Sequence, residues 1–262
     1  MENSMRLFLF RFYATVTKCY TAAIMMTKVK LLKTEEVARG TMAFHFERPK
    51  NFAFKPGQYT EVKLINPSRM DSEGDSRTFS IASAVEESDV MVATRIRETA
   101  FKQLLKELPV GAEVMLDEAG GSYTLHKNPA KPAVFVIGGI GITPIRSILM
   151  HAAKSKLPHK LYLFYSNRTP QDAPFFDELQ KLPKLNPNFT FIPTMTKPDR
   201  LQNWPGETGY VDKAMLERHL GDIHAPIYYV TGPPAMVKGI QQMLARAGID
   251  DEQVRVEEFF GY

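Results

Sequence analysis

The first half of the chain alternates apolar and polar positions in short runs, a pattern typical of strands that cover a core on one side. Turn-forming residues such as Pro56 and Gly57 separate the runs. One helix is predicted at Ala100–Glu107, and Pro109 and Gly111 end it. Regularly spaced short strands predict a small antiparallel barrel. The predicted strands are Thr27–Leu32, Thr41–Phe46, Tyr59–Ile65, Arg77–Ala82, Val90–Arg95 and Glu113–Leu116.

The pattern changes after Pro129, where continuous apolar runs replace the alternation. Such runs are typical of strands covered on both faces, and their alternation with helices predicts a parallel sheet. The chain is therefore interpreted as an N-terminal antiparallel Greek-key β-barrel (residues 27–127) followed by a parallel-sheet α/β nucleotide-binding domain (residues 128–262). The second half is predicted to hold strands at Ala133–Ile137, Leu161–Tyr165, Phe189–Pro193, Ile227–Val230 and Val254–Phe260, and helices at Pro144–Ala153, Phe175–Lys181, Ala214–Leu220 and Pro234–Ala247.

Residues 1–26 form a basic extension with three cations and a single acid. Arg11 and Lys18 interrupt its apolar run, so a membrane span is not predicted. Three interpretations are open: a targeting leader, an amphipathic surface helix, or a mis-assigned start, in which translation begins at Met25 or Met26. We favour the mis-assigned start. No other segment has the pattern of a transmembrane helix. A cytoplasmic protein is expected, with an organellar leader as the alternative.

The composition argues against a nucleic-acid-binding protein, a disulfide-stabilised protein and a protein with a cysteine-ligated metal centre. The 262 residues are 44% hydrophobic and 24% charged, with a net charge of +4, which is ordinary for a globular protein. The basic residues form no tract interleaved with aromatics, so nucleic acid is not an expected partner. The single cysteine, Cys19, excludes a disulfide framework and a cysteine-ligated zinc or iron–sulfur centre within this chain. No metal site is predicted.

A glycine-rich turn from Gly138 to Pro144 lies directly between a predicted strand and a predicted helix. Backbone N–H groups and the helix dipole at such a junction attract a pyrophosphate, and glycines let the ligand approach the backbone. The alternative is a tight turn that binds nothing, but the strand–turn–helix context favours nucleotide binding. The spacing differs from GxGxxG, so a standard dinucleotide fold is not assumed.

Two further junctions lie at the same predicted edge of the sheet. Ser166 and Arg168 follow the second strand, where they would hold a 2′-phosphate and favour NADPH. An exposed loop arginine without a ligand is an equal alternative. The fourth strand ends at Thr231 and opens a helix at Pro234, again where open α/β sheets bind ligands. A stiff turn that only starts a helix is the alternative there.

The strand that begins at Arg77 carries a second candidate site. Arg77 and Phe79 should face one way, and Thr78 and Ser80 the other. An arginine for phosphate, an aromatic face for a planar ring and a hydroxyl for a ring nitrogen would form a flavin cradle. On these residues alone, an ordinary half-buried strand is the better interpretation.

The ordered set PGQY, RTFSIAS, GGIGITP, TGPPAMV and EEFFGY, which spans about Thr27 to Tyr262, resembles the ferredoxin–NADP reductase superfamily of FAD-dependent oxidoreductases. It is most similar to the branch without a fused iron–sulfur or globin domain. The resemblance implies FAD on the barrel and NADPH or NADH on the second domain. It also implies that electrons pass to ferredoxin, flavodoxin, a haem protein or a small-molecule acceptor.

On the flavin side, the resemblance implies that Arg77 neutralises an FAD phosphate and that Ser80 lies near the hydride-accepting N5 atom. Phe79 replaces the usual tyrosine, which keeps a stacking face and loses a hydroxyl. Glu118 and Ala119 replace a usual Gly-Pro. The remaining flavin contacts implied are Thr78, the segment Thr94, Arg95, Ile96 and Arg97, and the loop Gly120, Gly121 and Ser122.

On the nucleotide side, Thr231 occupies the position where many relatives have a cysteine beside the nicotinamide. The resemblance implies that the C-terminal strand places an acid and an aromatic residue at the flavin ring. Its alternation selects Glu258 and Phe260, and a register shift of one residue would select Glu257 and Phe259 instead. Ser80, Thr231 and Glu258 are the candidate catalytic residues. The nucleotide contacts implied are Gly139, Gly141, Thr143, Pro144, Ser166, Arg168, Gly232, Pro233 and Met236.

Two other functions are carried as alternatives. In a free-flavin or ferric-chelate reductase, the flavin would be a substrate instead of a retained group. A non-catalytic nucleotide-binding subunit of an electron-transfer complex would bind cofactor without reducing a dye.

Overall fold

The computed structural model describes residues 26–197 and 203–259. Its first half is a six-stranded antiparallel sheet with the spatial order β4-β3-β6-β1-β2-β5, and helix α1 lies between β5 and β6 in the chain. These elements are β1 (Thr27–Ala38), β2 (Thr41–Glu47), β3 (Tyr59–Leu64), β4 (Ser76–Ser80), β5 (Asp89–Arg95), α1 (Ala100–Glu107) and β6 (Glu113–Leu116). Ile81 pairs with Val92, which joins the end of β4 to β5 and closes the barrel.

The second half is a six-stranded parallel sheet with the order β10-β9-β8-β7-β11-β12. Its elements are β7 (Ala133–Gly138), α2 (Ile142–Lys154), β8 (Leu161–Asn167), α3 (Phe176–Lys181), β9 (Phe189–Met195), β10 (Glu207–Thr208), α4 (Lys213–Leu220), β11 (Ile227–Gly232), α5 (Pro234–Arg246) and β12 (Val254–Glu258). The chain builds outward from β7 to β10 on one side and then returns to β11 on the other. The carboxyl ends of β7 and β11 therefore flank a topological switch point, where open α/β sheets bind ligands.

The predicted fold class is confirmed: an antiparallel barrel precedes an α/β domain with a parallel sheet. The last strand ends at Glu258 instead of the predicted Phe260, and two larger differences concern β1 and β10. β1 continues to Ala38 through a polar stretch, because its second half only pairs with β2 and covers little core. The two-residue β10 has no hydrophobic pattern to reveal it.

The two halves share part of their apolar core. One face of the parallel sheet is covered by α2, whose buried residues include Ile145 and Leu149. The same cluster contains small barrel residues, among them Ala43, Ala82 and Ala93. Small side chains there let helix α2 lie close against the barrel wall, so the seam between the halves is closely packed.

Between residues 26 and 197 and between 203 and 259, no helix combines the length and apolar character needed to cross a bilayer. The predictions for residues 1–25, for Phe260 and for Tyr262 concern positions outside the described ranges.

Candidate functional site

A cavity of about 900 Å³ opens at the switch point between the two halves. Its floor is the glycine-rich turn after β7, and its walls come from the ends of β8 and β11, the start of α5 and the barrel. The lining residues used below are Arg95, Arg97, Gly138, Gly139, Ile140, Ser166, Asn167, Arg168, Asp172, Tyr210, Pro233 and Met236.

The glycine-rich turn is shaped by the close approach of β7 to β11. A Cβ on Gly141 would lie 2.9 Å from the backbone of Thr231 and Gly232, and one on Gly138 would lie 2.5 Å from the sulfur of Met236. Of the residues predicted in this turn, Gly139 lines the cavity, whereas Gly141, Thr143 and Pro144 are buried beneath it. The latter three support the turn from below.

The Thr231 hydroxyl is also part of this support. It donates a 2.7 Å hydrogen bond to the Gly141 carbonyl, and the residue is fully buried. The hydroxyl thus ties the end of β11 to the turn and does not face the cavity. Pro233 and Met236, which follow it, do line the cavity.

The junction after β8 contains a polar group without a partner. Asn167 is 7% exposed, and its Nδ2 atom has no hydrogen-bond partner among the described residues. The backbone carbonyl of Asn167 accepts hydrogen bonds from the backbone N–H and the hydroxyl of Thr196. A buried donor at a cavity wall is stabilised when a ligand supplies an acceptor. The sequence pointed to the flanking residues Ser166 and Arg168 and gave Asn167 no role of its own.

The cavity is positively charged. Three arginines line it, Arg95 and Arg97 from the end of β5 and Arg168 from the junction after β8, against a single carboxylate, Asp172. Such a surplus of guanidinium groups favours a ligand with phosphates. The resemblance implies flavin contacts for Arg95 and Arg97, and the structure places both on the cavity that Ser166 and Arg168 also line. Their neighbour Thr94 is buried.

On the barrel, Arg77 forms ion pairs with two carboxylates of the same chain, Asp71 and Glu73. Its Nη2 atom bonds the Asp71 carboxylate at 2.6 Å, and Nε pairs with Glu73 at 2.9 Å. The other oxygen of Asp71 faces the Phe101 N–H in the first turn of α1 at 3.5 Å. The hydrogen bond from Arg77 lowers the pKa of Asp71. A carboxylate therefore sits between a guanidinium and a helix N-terminus, a setting that suits a phosphate oxygen.

The other flavin-side residues have separate surroundings. Phe79 is 8% exposed and lies 6.0 Å from the Phe101 ring, so it is part of the barrel core. Ser80 is buried and Thr78 is exposed. Ser80 pairs across the strands with Tyr59, whose partly exposed ring packs over Gly121; a Cβ on that glycine would meet the ring at 2.9 Å. Tyr59, the last residue of the PGQY motif, is thus an aromatic surface beside Ser80 to which the sequence analysis gave no role.

The residues on this side fit a flavin dinucleotide. A phosphate at Arg77 would have to replace the Asp71 or Glu73 carboxylate, and Tyr59 offers the aromatic ring that Phe79 does not present. The guanidinium of Arg77 lies over the Phe101 ring on the face of β4 that carries Phe79, whereas Tyr59 lies beside Ser80 on the other face, so an extended ligand would be needed to reach both.

At the C-terminal strand, the two acids face different surroundings. Glu258 is exposed, whereas Glu257 and Arg255 lie on the side that faces the barrel. The Oε2 atom of Glu257 and the hydroxyl of Tyr123 are both buried without a hydrogen-bond partner among the described residues. Burial raises the pKa of Glu257 from 4.5 to about 7. Burial, followed by the charge of Glu257, raises the pKa of Tyr123.

The elevated pKa of Glu257 makes stability depend on pH. Below pH 4.5 the carboxyl is protonated in both states; between pH 4.5 and about 7 only the unfolded state has lost the proton. This group therefore lowers the free energy of unfolding as pH rises through that window, by roughly 3 kcal/mol in total.

We expect Glu257→Gln to flatten the curve of unfolding free energy between pH 5 and 8, measured by urea denaturation. Glu252→Gln, at an exposed acid, should leave it unchanged, and an unaltered slope in the first variant would contradict the assignment.

Comparison with known proteins agrees with this architecture. Residues 135–242 match the family model described as "Oxidoreductase NAD-binding domain". The reductase component of propane 2-monooxygenase from Rhodococcus jostii is 28% identical over 215 residues, which are 80% of this chain and 57% of that protein. The reductase subunit of glycine betaine monooxygenase from Chromohalobacter salexigens is 28% identical over 223 residues, 84% of this chain and 60% of that protein. This chain thus spans about three fifths of each relative.

Among solved structures, a ferredoxin NADP⁺ reductase from Neisseria gonorrhoeae with bound FAD and NADP superimposes with a TM-score of 0.75. The sequences are 22% identical, and the match covers 90% of this chain and 99% of that one. The fold and the matched NAD-binding region agree with the predicted resemblance: the chain has the fold of a ferredoxin NADP⁺ reductase, and residues 135–242 are similar to the NAD-binding domain of oxidoreductases.

Proposed function

We propose that the chain is an FAD-dependent NAD(P)H oxidoreductase that passes electrons to a protein or small-molecule acceptor. The observation that carries this proposal is the cavity at the switch point, which both halves line and into which Arg95, Arg97 and Arg168 bring positive charge. A dinucleotide there would lie between the glycine turn and the barrel, next to the strand that ends at Ser80.

The nucleotide would be held by groups of three kinds. The turn at Gly139 approaches it with backbone, the arginines neutralise its phosphates, and Nδ2 of Asn167 donates to one of its acceptors. Arg168 with Ser166 favours a 2′-phosphate and hence NADPH over NADH.

On the barrel, Arg77 would hold an FAD phosphate after Asp71 leaves, with Tyr59 and Ser80 beside the ring. When bound, FAD supplies the atom that accepts hydride from NAD(P)H and the capacity to release electrons singly. The protein supplies distance and orientation. None of these roles requires a general base, which agrees with the separate structural surroundings of His45, bonded to Asp89, and His126, bonded to Tyr229.

The acceptor proposed is a redox protein. Two relatives carry names as reductase components of monooxygenases, which favours a partner that receives electrons from the flavin edge. Ferredoxin, flavodoxin, a haem protein and a small molecule are the acceptor classes to be compared by turnover.

The test is a visible spectrum of the purified protein, followed by separate anaerobic additions of NADH and NADPH. A bound flavin and its bleaching by at least one nucleotide are expected. A colourless protein that cannot be reconstituted with FAD would end the proposal.

One observation favours a second candidate, a reductase that takes free flavin as substrate. The Asp71 carboxylate already occupies the guanidinium of Arg77, and competition of this kind loosens a phosphate. Gel filtration separates the two functions: FAD that co-elutes with the protein supports the flavoprotein, and complete loss of FAD with retained NAD(P)H-dependent flavin reduction supports the alternative.

A further inference from the structure

Arg146, in the second turn of α2, joins the barrel to two helices of the other half. It is 6% exposed, and its five N–H groups make five hydrogen bonds. Nε and Nη2 grip the Glu178 carboxylate of α3 at 2.6 and 2.7 Å. Nη1 and Nη2 reach the Glu87 carboxylate of the barrel at 3.0 and 3.1 Å, and Nη1 also donates to the Ala82 carbonyl at 2.7 Å.

The barrel loop that receives Arg146 is itself tightly held. Glu87 accepts the Ala84 N–H at 2.6 Å, so its carboxylate closes the loop as well as binding the arginine. Ser83 accepts a 2.6 Å bond at its carbonyl from the Ser147 hydroxyl of α2, and its own hydroxyl accepts the Met91 N–H of β5 at 3.0 Å. Helix α2 is therefore fixed to a loop that cannot shift without moving β5.

The position of these bonds in the chain links the two candidate cofactor segments. Ala82 comes two residues after Ser80, and Arg146 comes three residues after Thr143, the last polar residue of the glycine-rich turn. Single polar bonds also cross the seam, such as those from Ser147 to the Ser83 carbonyl and between His151 and Glu86, and the apolar part of the seam contains small side chains such as Ala43 and Ala93. Apolar contact is non-directional, so it brings the surfaces together without fixing how they slide. A planar guanidinium with five bonds is directional.

We propose that Arg146 is a positioning residue that sets the register between the flavin-binding strand and the nucleotide-binding turn. This inference rests on the proposed function. Because rates of group transfer depend steeply on the separation of the reacting atoms, a small slip of α2 along the barrel slows hydride transfer while leaving each cofactor's own contacts intact.

The test compares Arg146→Lys with Arg48→Lys in the full chain. Lysine keeps the charge and loses the forked bonds. Arg48 is the matched control, because it donates to the carbonyls of Val85 and Glu87 in the same loop, and to that of Phe52, without leaving the barrel. In stopped-flow reduction with saturating NAD(P)H, Arg146→Lys should lower the limiting rate about 10- to 100-fold. The dissociation constants of FAD and NAD(P)H should stay within about twofold, and Arg48→Lys should leave the limiting rate unchanged.

A second readout does not depend on a loaded enzyme. Spin labels on Lys50→Cys and Lys184→Cys, in a Cys19→Ser background, report the distance between the two halves. Arg146→Lys should broaden that distance distribution and Arg48→Lys should not. If Arg146→Lys does not fold, Glu178→Gln, which removes one charge and keeps the shape, takes its place in both measurements.

An unchanged distance distribution together with an unchanged limiting rate would overturn the proposal. So would a parallel loss in both arginine variants, which would show only that the loop needs stability. If the wild-type chain fails to bind FAD, the proposed function fails, yet a broadened distribution in Arg146→Lys alone still supports Arg146 as the residue that sets the register.

Discussion

Arg77→Ala is expected to weaken FAD binding by about 100-fold, equivalent to roughly 2.7 kcal/mol. Asp71 lies at the N-terminus of α1, and among the described residues Arg77 is the only arginine that bonds it. The variant removes this guanidinium. A hydrogen bond to a charged group contributes about 1.5–3 kcal/mol, so the loss of one such bond between Arg77 and a phosphate accounts for this effect. Equilibrium dialysis or quenching of flavin fluorescence measures it. Retention equal to that of the wild-type protein would remove Arg77 from the flavin site.

The same geometry predicts an effect of opposite sign at Asp71. Asp71→Asn removes the negative charge that competes with a phosphate for Arg77, so FAD should bind about 10-fold more tightly. The matched control is Asp75→Asn, which lies in the same loop but pairs with Lys63 at 3.4 Å. Tighter binding in the control as well would point to loop flexibility instead of competition. Weaker binding in Asp71→Asn would mean that the carboxylate organises the site.

Arg168→Ala is expected to abolish a preference for NADPH. Its guanidinium is exposed at the cavity beside Ser166, where it can pair with a 2′-phosphate that NADH lacks. Loss of such a pair should raise the KM for NADPH about 30-fold and change that for NADH by less than about threefold. Steady-state dye reduction with each nucleotide provides both numbers.

Arg218→Ala serves as the control for this effect. Arg218 is an exposed arginine on α4 that pairs with Glu207 and does not line the cavity. Equal reduction of the wild-type protein by both nucleotides would contradict the phosphate-binding role of Arg168. In that case Arg95 and Arg97 would account for the positive charge of the cavity by binding the pyrophosphate.

Much of the fold follows from local patterns. Exposure alternates along β3, which has one face on the core, whereas β7 and β11 are continuous apolar runs because both of their faces are covered; each pattern predicts a strand. The glycine-rich turn could also be predicted from the sequence, because the approach of β7 to β11 leaves no room for a side chain at Gly141 and only glycine fits there. These features depend on neighbours in sequence or on a single steric demand.

The rest depends on contacts between distant residues. No local pattern shows that Asp71 meets Arg77 at the start of α1, or that Glu257 lies buried next to Tyr123. The position of Arg95 and Arg97 on the same cavity as Arg168 has the same cause, because the seam decides which residues of the second half lie near the end of β5. For Asn167 a signal existed: it stands between two residues already singled out after a buried strand.

The placement of small side chains on the outer wall of the barrel has a thermodynamic consequence. Helix α2 has its apolar side against Ala43, Ala82 and Ala93 as well as against its own sheet, so the two halves share this cluster, although the barrel interior has an apolar cluster of its own. Separation of the halves would expose apolar surface on helix α2 and on the barrel wall. Burial at the seam therefore stabilises the arrangement that sets the distance between the two ligand-binding segments.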